Sequence, residues 1–153
     1  MIYNNHLLNG NCAPVPPSVS SYLLRSSVSR LFVGHQPHGD CPSVILTPDS
    51  RLAVFLCDTS YSDPAAADNR GGAHANVTVG RTWTRVDGVG RDGRRNVYLK
   101  HVDPASNTEE ARQIGRQRKD QSWVKGRVSN GTVMVAKGEG FRLDTKIIKL
   151  EEI

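Results

Sequence analysis

The residues best equipped for chemistry lie in one short stretch, Gly34-His35-Gln36-Pro37-His38-Gly39-Asp40-Cys41. Two imidazoles, a carboxylate and a thiol so close together are common metal ligands and proton carriers. The run Arg30-Leu31-Phe32-Val33 before it is largely apolar and closed by Gly34, which predicts a short buried strand. Pro37, Gly39 and Pro42 then forbid a regular element. A strand, Gly-His and a rigid loop would expose the imidazole at the carboxyl end of a sheet. A second polar loop, Asp58-Thr59-Ser60-Tyr61-Ser62-Asp63, follows the continuous apolar run Leu52–Cys57. If the two strands are neighbours, both loops open on one edge.

Zinc is one reading of the cluster. His35, His38 and Cys41 sit three residues apart, and Cys57 or His74 would be a fourth ligand. Structural zinc sites draw on two short-spaced pairs, and the second pair is missing here. The plain alternative makes His35 a hydrogen-bonded loop residue and His38 an exposed one.

The elements that must position these residues follow from the pattern. Residues 1–17 read as loop or tail, rich in Asn, Gly and Pro. Ser18 is suited to cap a helix running to about Ser27. The continuous run 52–57 suits a strand buried on both faces, and alternating Ala73, Ala75, Val77 and Val79 suit another. Strands are expected over 82–86, 96–102, 123–128, 132–136 and 141–150. Thr108 should cap a helix over about 109–119. Asn130-Gly131 predicts a type I′ hairpin turn. The texture changes near 80–86, which divides the chain into a tail (1–17), a first unit (18–80) and a β-rich extension (81–153).

The motif Leu31-Phe32-Val33-Gly34-His35-Gln36-Pro37 resembles the last metal-binding motif of calcineurin-like metallophosphoesterases. It is closest to the Gly-His-Thr-Pro form of the Ser/Thr phosphatase and diadenosine tetraphosphate hydrolase branches. Val54-Phe55-Leu56-Cys57-Asp58-Thr59-Ser60 and Arg70-Gly71-Gly72-Ala73 continue in the same order. The resemblance covers about residues 18–80. It implies an α+β fold, the C-terminal half of a mixed-sheet sandwich wrapped by helices. It implies hydrolysis of a phosphomonoester, nucleotide or protein phosphate, assisted by manganese, iron or zinc. His35 would be a metal ligand, and Asp58 and Thr59 would shape the pocket or orient His35. His38 falls one position late of a second motif histidine, with Pro37 in the expected place.

The family's earlier motifs, Asp-x-His, Gly-Asp-x-x-Asp and Gly-Asn-His-Glu or Asp, are absent. The resemblance therefore implies an incomplete domain, inactive alone or completed by a missing N-terminal half or a homodimer partner. Open strand edges would then need covering, by the basic segment 81–127 or by a dimer partner.

Length and composition set outer limits. The chain has 153 residues, 37% hydrophobic and 23% charged, which suits one folded domain with an appendage. No apolar run approaches the roughly 20 residues that span a bilayer, and no secretory signal pattern opens the sequence. An intracellular, cytoplasmic location without membrane association is the expectation. Three cysteines, Cys12, Cys41 and Cys57, then read as free thiols.

The net charge of +5 is uneven. Residues 81–127 hold 12 Lys/Arg against 6 Asp/Glu, while the flanking parts are nearly balanced. Such a block either binds nucleic acid or phosphorylated ligands or is a solvated face. Its few aromatics, Trp83, Tyr98 and Trp123, favour the solvated face. Three functions are thus in play: a phosphoesterase that needs a further part, a non-catalytic phospho-ligand binder, and a nucleic-acid module on 81–127.

Overall fold

A computed structural model of the protein describes residues 5–39, 41–59, 73–90, 92–101, 106–140 and 142–153. Eleven strands are seen among them. β1 (Leu7–Leu8) and β2 (Asn11–Cys12) form a small hairpin, followed by α1 (Pro17–Arg25). β3 (Arg30–Val33), β4 (Ser43–Leu46) and β5 (Ala53–Leu56) make a mixed sheet in the order β3-β5-β4. β6 (His74–Val79), β7 (Trp83–Val89), β8 (Arg95–His101), β9 (Trp123–Ser129), β10 (Thr132–Glu139) and β11 (Arg142–Lys149) form an antiparallel sheet whose neighbours follow sequence order. α2 (Glu109–Gln113) sits between β8 and β9, and a 3-10 turn, Leu150–Glu152, closes the chain.

The expected α+β fold is corrected. The structure is 45% strand and 14% helix, with a six-stranded antiparallel sheet as its largest element. Short connections explain the outcome, because strands joined by a few residues pair antiparallel. Gly93 (φ 76), Gly131 (φ 70) and Gly140 (φ 58) supply the left-handed backbone in three of those connections. Of Asn130 and Gly131 only the glycine takes a positive φ, so the hairpin forms without the type I′ geometry. The helix expected over 109–119 is capped by Thr108 through the Ala111 N–H, but ends at Gln113. Gly115 stands just beyond at φ 86, where the chain turns away.

β6 pairs with β7 over its whole length, so residues on both sides of the 80–86 texture change share one sheet. β4 and β5 are buried on both faces, as the apolar run 52–57 predicts. The buried strand expected over 30–33 is corrected: β3 lies at the sheet's edge and is only partly buried, with Phe32 exposed. Val44, Leu46, Ala53 and Phe55 point toward Val86, Tyr98, Val124, Val133 and Val135 of the large sheet. Ile45, Val54 and Leu56 point the other way, toward Cys12, Val15, Leu23 and Leu24. Three layers result: the N-terminal hairpin with α1, the mixed sheet, and the antiparallel sheet. Residues 5–17 are mostly irregular, yet Cys12 and Val15 enter the second core. Gly10 and Gly138 touch backbone to backbone where the first hairpin crosses β10, leaving no room for a Cβ.

Arg30 ties the edge strand β3 to the large sheet. Its guanidinium donates to the carbonyls of Gly80 (2.9 Å) and Trp83 (3.1 Å) and to Thr84 Oγ1 (3.1 Å).

Among the described residues, the Tyr98 hydroxyl, Arg118 Nε and Trp123 Nε1 are buried polar atoms with no hydrogen-bond partner. Burial pushes the ionisation of the Tyr98 hydroxyl up. An orphaned hydroxyl costs about 1–3 kcal/mol relative to a satisfied one. Tyr98→Phe should therefore match or exceed the parent in stability, by about 1 kcal/mol. Urea unfolding checks this, and a clear loss would mean that the hydroxyl has a partner.

Candidate site at the edge of the mixed sheet

β3 and β5 are adjacent and parallel, in register from Arg30↔Ala53 to Val33↔Leu56. Loops 34–39 and 57–59 therefore leave the same edge of the sheet. There the His35 N–H donates to Asp58 Oδ2 at 3.0 Å. His35 sits at φ 63, a conformation uncommon outside glycine but enriched for His, Asn and Asp. Side chains held at such angles concentrate at functional sites. The carboxylate fixes this turned backbone, and the imidazole is exposed. Thr59 is buried, and its hydroxyl donates to the Ala73 carbonyl at 3.4 Å, linking the edge to the residue before β6.

His38 lies inside the protein, only 2% exposed. Its Nδ1 is 2.8 Å from Ser43 Oγ and 3.4 Å from Cys12 Sγ. Its carbonyl accepts from the buried Lys125 ammonium on β9. The plain reading of an exposed His38 is corrected, because Cys12 of β2, Ser43 of β4 and Lys125 of β9 surround it. The other members of the zinc reading are scattered. Cys41 is fully buried against Gly88 of β7. Cys57 is half-buried with its thiol toward the Phe55 carbonyl, and His74 is exposed on β6. Among the described residues, no three His, Cys, Asp or Glu side chains gather closely enough to hold a metal ion.

Sequence reasoning missed the residues that hold the loop: His6, Cys12, Ser43 and Lys125. The N–H of His6 donates to Gln36 Oε1 at 2.6 Å. The one sequence signal was Lys125, a lysine directly after Trp123-Val124 within the strand expected over 123–128. Lysine is almost never fully buried without a partner.

The basic segment has a different texture in space. Arg85 pairs with Asp87 at 2.6 Å, Arg112 with Glu109 at 3.1 Å and Arg118 with Asp120 at 2.9 Å. Arg85 holds the Asp87 carboxyl below its usual range. Arg116 is spent on Ser50 Oγ (2.8 Å) and the Arg112 carbonyl (2.9 Å). These side chains are thus held in local ion pairs and hydrogen bonds, while the segment keeps its excess of basic residues. A groove of about 630 Å³ beside α2, lined by Glu109, Gln113, Lys149 and Glu151 among others, shares no residue with loops 34–39 and 57–59.

No family model, curated protein or solved structure matches the chain. Among the described residues, no helix is long and apolar enough to cross a membrane.

Proposed function

We propose that this chain supplies one edge of a metal-assisted phosphoester-hydrolysing site and does not hydrolyse phosphoesters alone. The observation that carries the reading is the His35–Asp58 hydrogen bond across two parallel strands. It offers an imidazole at a sheet edge on a backbone fixed by a carboxylate. The residue order Gly-His-x-Pro, then strand, then Asp-Thr supports the same reading. The described residues do not by themselves fit a two-metal centre, which needs several converging ligands. No step through a metal is therefore assigned to them. Asp58 positions His35, and His35 presents its imidazole to a metal ion or phosphate held jointly with a further part.

Two measurements on the full chain test this. Trace manganese should broaden the ring proton signals of His35 more than those of buried His38. Absence of that preference overturns the assignment of His35. With manganese and p-nitrophenyl phosphate, the chain and His35→Ala should be equally inactive. Turnover lost in the variant would show a complete site in this chain and overturn the claim of inactivity.

A further inference from the structure

We propose that the antiparallel sheet is the holder of the His35 loop, and that Lys125 is its positioning residue. The inference rests on the reading of His35 as the functional imidazole, and it gives residues 74–149 a role in that site. The loop is pinned at successive points by four separate elements. Gln36 Oε1 accepts from the His6 N–H at the start of the N-terminal hairpin segment, at 2.6 Å. Nδ1 of His38 meets Ser43 Oγ on β4 at 2.8 Å and Cys12 Sγ on β2 at 3.4 Å. The His38 carbonyl receives the Lys125 ammonium from β9. Gly39, at φ 85, lies so close to Leu143 of β11 that a Cβ would collide with it, and that Cβ would be 3.1 Å from Lys125 Nζ.

Within residues 35–39 the pattern is selective. Gln36, His38 and Gly39 are buried, while His35 is exposed. A loop anchored just after one exposed side chain, which itself follows the end of a paired strand, is a platform for that side chain. Preorganisation of this kind is what a binding or catalytic group needs from its support. The Lys125 bond is the strongest anchor available, because a donor carrying full charge in a buried setting forms a charge-assisted hydrogen bond. It brings a charged side chain from the large sheet onto a loop carbonyl.

The test compares amide hydrogen exchange at Gly34, His35, Gln36, His38 and Gly39 in the full chain and in Lys125→Met. Val133→Ala serves as a control that weakens the same sheet without touching the loop. Positioning predicts about tenfold faster exchange at these amides in Lys125→Met, beyond any change in global unfolding, from loss of one charge-assisted hydrogen bond. The control should raise exchange only in step with global stability. If Lys125→Met does not fold, Leu143→Ala, which removes the β11 side chain of the same sheet that lies against Gly39, takes its place with the same expectation. Loop exchange that follows global stability in every variant overturns the proposal. Exchange needs no metal, so a failure of His35 to meet manganese would leave this result readable on its own.

Discussion

Phe55→Ala should remove about 3–5 kcal/mol of stability, the cost of truncating a large buried aromatic. Phe55 is fully buried on the central strand of the mixed sheet. Its ring stacks on Phe32 at 4.8 Å and meets the edge of Tyr98 at 5.7 Å. Phe32 belongs to the edge strand β3 and Tyr98 to the antiparallel sheet, so one side chain joins three strands across two layers. A domain of this size has roughly 5–15 kcal/mol in total, so the variant should be marginal at best. The effect should reach the site, because β5 also carries Asp58 at its carboxyl end. Urea unfolding followed by far-ultraviolet circular dichroism measures the loss. A cost under about 1 kcal/mol would mean that the two sheets are not coupled through this ring.

The same residue shows what the sequence made legible. A continuous apolar run such as Leu52–Cys57 has no period, so it reports burial on both faces without naming the partners. The structure divides it by alternation, with Ala53 and Phe55 in one core and Val54 and Leu56 in the other. Local signals read well for similar reasons. The Thr108 cap, the Asn130-Gly131 turn and the strands flanking that turn depend on neighbours within a few residues. The α+β expectation failed because it came from motif order in 18–80 rather than from local chemistry. Nothing local announces that β6 continues into the β7 hairpin.

The site divides along the same line. His35 and Asp58 were legible as a pair, since strand–Gly-His and strand–Asp-Thr place both at carboxyl ends. The bond between them needed only that the strands be adjacent. The anchors were not legible, because Cys12, Ser43 and Lys125 approach His38 from 26, 5 and 87 residues away. Spacing rules cannot see such contacts, and composition counted Lys125 as one more member of a basic segment. Its burial shows that the segment's net charge overstates what faces solvent.

Raising the pH should reveal the Cys12 thiol. Burial pushes its ionisation from an ordinary value near 9 up to about 12, with the Lys125 charge opposing only in part. The folded state therefore holds this proton more tightly than the unfolded chain does. The associated stability is present in full below about pH 9, declines as the unfolded thiol ionises, and is gone by about pH 12. The full span is on the order of 4 kcal/mol. Lysines and tyrosines titrate in the same window, so the informative quantity is the difference from Cys12→Ala. That difference should shrink steadily between pH 9 and 11 as the parent loses its advantage. Cys12 packs against His38 and closes the N-terminal hairpin over the second core. The first structure to loosen should then be residues 5–12, and with them the Gln36 anchor of the His35 loop. Parallel pH profiles for the parent and Cys12→Ala would show that the thiol ionises without cost, and that the hairpin does not seal it from water.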